Sequence, residues 1–144
     1  MSHTAPELPA VAASALPSAT HLAYAAALHR LGGDVELLHL LFTSFASDAP
    51  ARLEHLAVAM QGRDAAQVQR QAHALKGAAA IIGAQHCEQL AAVLERLAGA
   101  PGFDSGDDAG FAALDAAWAA LHAEARLLLS ELARMAESGK NKGD

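Results

Sequence analysis

The chain has 144 residues, a formal net charge of −6, 53% apolar residues and 4% aromatics. Its 38 Ala and 21 Leu favour helices, while the scarcity of β-branched residues disfavours β-sandwiches, barrels and parallel α/β sheets. One cysteine, Cys87, excludes an intramolecular disulfide and any multi-cysteine metal site, and the mild negative charge argues against nucleic acid as the main partner.

Residues 1–19, punctuated by Pro6, Pro9 and Pro17, read as an Ala/Pro-rich linker or flexible tail. No apolar run is long enough to span a bilayer and no secretory signal is evident, so a soluble, cytoplasmic protein is expected. A domain is expected over residues 20–138, with a disordered polar tail at 139–144. Its first element is a short helix at about 20–31, with Thr20 as N-cap and Gly32-Gly33 as the stop. The second helix starts at Asp34. Its apolar stripe of Leu38, Leu41, Phe42, Phe45, Ala49, Leu53, Leu56 and Met60 stays in phase across Pro50, which predicts one kinked helix ending at Gly62.

Asp64 opens the third helix, whose stripe is Val68, Ala72, Leu75, Ala79 and Ile82, with Gly83 as the interruption. The fourth runs from Gln85 to about Ala98, with Leu90, Leu94 and Leu97 facing inward. After a loop through Asp108 comes the longest helix. Its stripe of Phe111, Leu114, Trp118, Leu121, Ala125, Leu128, Leu132 and Met135 is heptad-like. The expected fold is all-α: an antiparallel four-helix bundle with a short extra N-terminal helix.

At 100° per residue, His73 falls nearly opposite the apolar stripe of the third helix and should face solvent at mid-helix. Its neighbours one turn away are Gln69, Arg70, Lys76 and Gly77, and beyond them come Ala80, Gly83 and Ala84. A mid-helix Gly costs about 1 kcal/mol relative to Ala, so Gly77 requires an explanation. An exposed face normally carries long charged side chains. This one is reduced to Gly and Ala around one imidazole, which would allow another protein to approach closely. Lys76 could offset negative charge arriving on the ring. Of the seven other histidines, His21, His29, His39, His55 and His122 show no H-x-x-x-H spacing, so no metal site is expected. Cys87 reads as a small buried side chain, and Trp118 as core.

The run Ala72-His73-Ala74-Leu75-Lys76-Gly77, continued by small residues to Gly83-Ala84, resembles the signature of histidine-containing phosphotransfer (HPt) domains. The resemblance extends from about residue 22 to 98. Leu31-Gly32-Gly33-Asp34, Leu38 to Phe45 and Asp48-Ala49-Pro50 resemble the stretch before the motif, and Cys87 and Leu94-Glu95 the helix after it. Ala78 departs from the usual Ser. The resemblance implies a phosphorelay intermediate in two-component signalling. His73 would be the phosphoacceptor, Lys76 would stabilise charge, and Glu95 would orient the imidazole through its second nitrogen. Gln69, Arg70, Gly77, Ala80, Ile81 and Ala84 would form the docking rim. The implied partners are response-regulator receiver domains and a hybrid sensor histidine kinase, whose C-terminal part this chain could be. The chain itself would be a monomer with no catalytic turnover and no cofactor, the Mg²⁺ ion being expected on the receiver. Two alternatives remain open at this point: the phosphotransfer domain of a chemotaxis-type histidine kinase, and a helical adaptor that takes no phosphate.

Overall fold

Two aspartates set the frame of the bundle. In a computed structural model that describes residues 22–100 and 108–143, with side chains at 108–109 and beyond 137 left aside, Asp34 and Asp64 each cap a helix. Asp34 Oδ1 accepts from the Leu37 N–H at 3.0 Å, and Asp64 Oδ1 from the Gln67 N–H at 3.2 Å. Each satisfies a backbone donor that the first helical turn leaves unpaired. The helices are α1 (Tyr24–Arg30), α2 (Val35–Gln61), α3 (Ala65–Ile81), α4 (Gln85–Ala98) and α5 (Asp108–Gly143), and no strand occurs among the described residues. The linker expected at 1–19 and the Thr20 cap lie outside those residues. Helix α5 runs through residues 139–143, which the sequence assigns to a polar tail.

Pro50 sits inside an unbroken α2, in keeping with the preserved phase of its stripe. Turns at Gly62–Asp64 and Ile82–Ala84 reverse the chain, so α2, α3 and α4 alternate in direction, and α5 closes the ring by packing on both α4 and α2. Arg63 lays its guanidinium 4.2 Å from the centroid of the Phe111 ring, tying the α2–α3 turn to the start of α5.

The core runs along the shared axis. Leu38, Leu56, Leu75, Leu94, Leu114, Leu121 and Leu128 are fully enclosed, and each contributes about 1.5–3 kcal/mol by leaving water. The buried stripe of α4 is Cys87, Ala91, Leu94 and Ala98, while Leu90 and Leu97 are only half-buried along its edge. The small side chains take the closest approach to the neighbouring helices, and the leucines fill the flanks. Leu41, Met60, Trp118 and Met135 sit at comparable edges. Glu124 and Glu131 are buried as well, paired with His86 and Arg134 respectively.

Helix α1 is short but firmly seated. Leu22 and Ala27 are buried, and the Ala23 N–H donates to the Gly83 carbonyl at 2.7 Å. Gly83 has φ +79°, and a Cβ there would lie 2.9 Å from the Ala27 Cβ and 3.0 Å from the Ala23 oxygen. Glycine is therefore required twice at this turn, by its backbone angle and by the close approach of α1.

Candidate functional site

The apolar stripe of α3 (Val68, Ala72, Leu75, Ala79) turns into the bundle, which leaves His73 on the opposite, outer side. Its side chain is 66% exposed. Helix α4 runs beside α3 and brings Glu95 up to it. His73 Nδ1 lies 2.8 Å from Glu95 Oε2, and Lys76 Nζ lies 2.8 Å from Glu95 Oε1. One carboxylate thus holds an imidazole with one oxygen and an ammonium with the other.

The electrostatics fix the direction of these bonds. Lys76, by its hydrogen bond, holds the Glu95 carboxyl below the usual carboxylate range; partial desolvation opposes this, and the bond from His73 adds to it. An ionised carboxylate only accepts, so Nδ1 carries the proton and donates. In the neutral ring this contact sets the tautomer and leaves the lone pair on Nε2. Nε2 has no partner among the described residues.

A Cβ at Gly77 would meet nothing within 4 Å. Among the described residues no helix crossing or packing contact accounts for the glycine. Arg70 and Ile81 are exposed on the same face. Ile81 borders a shallow cleft of about 80 Å³ that Leu41, Ser44, Asp48 and Arg52 of α2 share with Ala78.

Two expected rim residues sit differently. Ala84 is fully buried, because the α3–α4 turn folds under α1, so it offers nothing to a partner. Gln69 is exposed but leans over the end of α4, where its amide nitrogen would lie 2.4 Å from a Cβ on Gly99. Ala80 is half-buried, and its carbonyl accepts from Arg30 Nη2 at 3.0 Å. Arg30 escaped the sequence reading. It is 50 residues away from Ala80, and no local pattern signals the contact.

Among the described residues no group of three or more His, Cys, Asp or Glu is placed to hold a metal ion, and no helix is long and apolar enough to cross a membrane. Cys87 is buried, and its thiol is pushed up to about 12, first by desolvation and then by the charge of Glu124.

Fold and site together define a class: a helical bundle that presents an anchored, solvent-facing imidazole at mid-helix on its outer surface. A family model described as Hpt domain matches residues 40–135, about two thirds of the chain, and the chain belongs to that family. No match was found among curated proteins or among solved structures. Membership implies histidine phosphotransfer in two-component signalling, and Hpt domains interact with receiver domains and histidine kinases.

Proposed function

We propose that this chain is a phosphorelay intermediate: His73 takes a phosphoryl group from an aspartyl phosphate on one receiver domain and passes it to an aspartate on another. The observation that carries the reading is the bond between His73 Nδ1 and Glu95 Oε2 at 2.8 Å on a ring that is otherwise exposed. In the first step the Nε2 lone pair forms a bond to phosphorus while the acyl phosphate P–O bond breaks, and the electron pair of that bond leaves with the receiver's carboxylate. The ring becomes cationic, with its proton still on Nδ1, and Glu95 faces that charge. In the second step the P–N bond breaks, its electrons return to Nε2, and a second aspartate oxygen takes the phosphoryl group.

Phosphoryl transfer asks mainly for positioning and charge stabilisation. Glu95 supplies the positioning. Lys76, one turn from His73 and bound to the same Glu95 carboxylate, would offset negative charge arriving at the ring. Gly77 keeps the approach clear. The receiver would supply the Mg²⁺ ion, and on this reading the chain passes the phosphoryl group on without catalytic turnover of its own. On this reading the protein works in the cytoplasm, beside the receivers.

Phosphoramidate, a small phosphoryl donor, tests the reading without a known partner. We expect an acid-labile adduct, seen by intact mass, in the wild type and none in His73→Gln. A phosphorylated receiver domain should load the wild type in the same way. Protein that takes phosphate from neither donor would move the assignment to a helical adaptor.

A further inference from the structure

The face of α3 around His73 is locally positive in a chain whose formal net charge is −6. Lys76 is neutralised by Glu95. Arg70, one turn before His73, and Arg30, beneath the end of α3, have no carboxylate partner among the described residues. Arg30 belongs to α1, outside residues 40–135 that match the family model.

The position of Arg30 is built in. Helix α1 is held against the α3–α4 turn by the Ala23–Gly83 bond and by a Gly83 that leaves no room for a side chain. From there Arg30 Nη2 donates to the Ala80 carbonyl in the last turn of α3, a helix with no basic residue of its own in that turn. A cation there suits the negative end of the helix dipole. One N–H is used in this contact, while a guanidinium has five, and the residue is exposed. Donors and charge therefore remain available to a partner.

Distance brings Arg30 within reach of whatever engages His73. Ala80 is seven residues on from His73, about 10 Å along the helix axis at 1.5 Å per residue. A standard protein interface covers roughly 800 Å² per partner, a disc of about 16 Å radius. The contact point of Arg30 on α3 therefore lies inside the radius of a partner centred on the imidazole.

We propose that Arg30 is a specificity-determining docking residue: it extends the receiver-binding face from α3 onto α1 and selects receivers that carry an acidic side chain at the rim of their phosphorylation site. The inference rests on the phosphotransfer reading and adds to it a residue outside the matched family segment. Rim charges act mainly on association rate and salt dependence.

The experiment uses two donors. Phosphoramidate needs no protein partner and reports on His73 itself, while a panel of purified, phosphorylated receiver domains reports on docking. The readout is the ratio of receiver-driven transfer to phosphoramidate labelling. Arg30→Glu should lower this ratio about three- to tenfold at low salt for the receivers that load the wild type fastest. Arg30→Lys should restore most of it, and high salt should narrow the gap. An unchanged ratio in Arg30→Glu would overturn the proposal. So would a parallel fall in both rates, since Arg30 would then act only by holding the end of α3. A wild type that accepts phosphate from neither donor sinks the phosphotransfer reading itself and is seen before any substitution is made.

Discussion

Two histidine–glutamate pairs link neighbouring helices of this bundle, and they sit in different surroundings. His73 and Glu95 join α3 to α4 at 2.8 Å, with the ring 66% and the carboxylate 20% exposed. His86 and Glu124 join α4 to α5 at 3.3 Å, with the ring 50% and the carboxylate 6% exposed. The chemistry of the pairs is alike, but the surroundings are not. Glu95 also holds Lys76, and one turn on from His73 a Cβ at Gly77 would meet nothing within 4 Å. Glu124 sits in the core beside the Cys87 thiol, whose ionisation it opposes. On the proposed reading, an imidazole held by a carboxylate takes phosphate only where its second nitrogen is accessible and a partner can approach.

The sharpest way to break that contrast is to remove each ring in turn. His73→Gln should abolish labelling by phosphoramidate and leave helicity by circular dichroism unchanged, because the side chain is exposed. His86→Gln should label normally. Loss of helicity in His73→Gln would place the residue in the core instead. The next largest effect lies beside the second pair. With its thiol pushed up to about 12, Cys87 should react with iodoacetamide about a thousandfold more slowly in the folded protein than after denaturation, since the thiolate is the nucleophile. Rapid alkylation of the native protein would show that the α4–α5 interface opens.

Glu95 comes third. Glu95→Ala should slow phosphoramidate labelling roughly tenfold by freeing the imidazole tautomer. Glu95→Gln should slow it less, because an amide oxygen can still accept from Nδ1. The pH dependence has a definite sign. Lys76 holds the Glu95 carboxyl below its ordinary value of 4.5 in the folded state, so the stability it contributes is fully present above 4.5 and is lost as pH falls through the folded value. Carboxyl ¹³C shifts should give a Glu95 midpoint below 4.5, and a midpoint at or above it would mean that the Lys76 contact is absent in solution.

How far the sequence predicts these regions depends on the range of the contacts. Caps are local, and Asp34 and Asp64 cap as their positions suggest. Periodicity within one helix was enough to turn His73 outward. Glu95 could be assigned to His73 only through the family resemblance, since helix periodicity does not specify which residues of neighbouring helices meet. Ala84 was misplaced for a tertiary reason: periodicity puts it past the end of α3 on an open rim, while α1 folds back and covers it. The Arg30–Ala80 and His86–Glu124 contacts join separate helices and leave no periodic trace.

A smaller effect tests the structural role of the second pair. His86→Ala removes a partner from a buried carboxylate, which should cost about 1 kcal/mol, discounted because the ring is half exposed. On a domain of this size that is a fall in Tm of a few degrees, readable by thermal denaturation. Labelling of His73 should not change. If labelling falls along with Tm, the two pairs are coupled through α4 and the distinction between them fails.

Gly77 separates stability from function at a single position. Helix propensity alone says that Gly77→Ala should stabilise the fold by up to about 1 kcal/mol, and no neighbour stands within 4 Å to oppose the added methyl group. Gly77→Gln should also raise Tm slightly, yet its longer side chain would stand beside the imidazole where a receiver must approach. Phosphoramidate is small enough to pass. The expected pattern is therefore a higher Tm in both variants and receiver-driven transfer that falls in Gly77→Gln relative to phosphoramidate labelling. A Gly77→Gln protein that is more stable and loads from receivers as fast as the wild type would leave the glycine unexplained by access. A less stable one would show that the open space beside it is filled in solution.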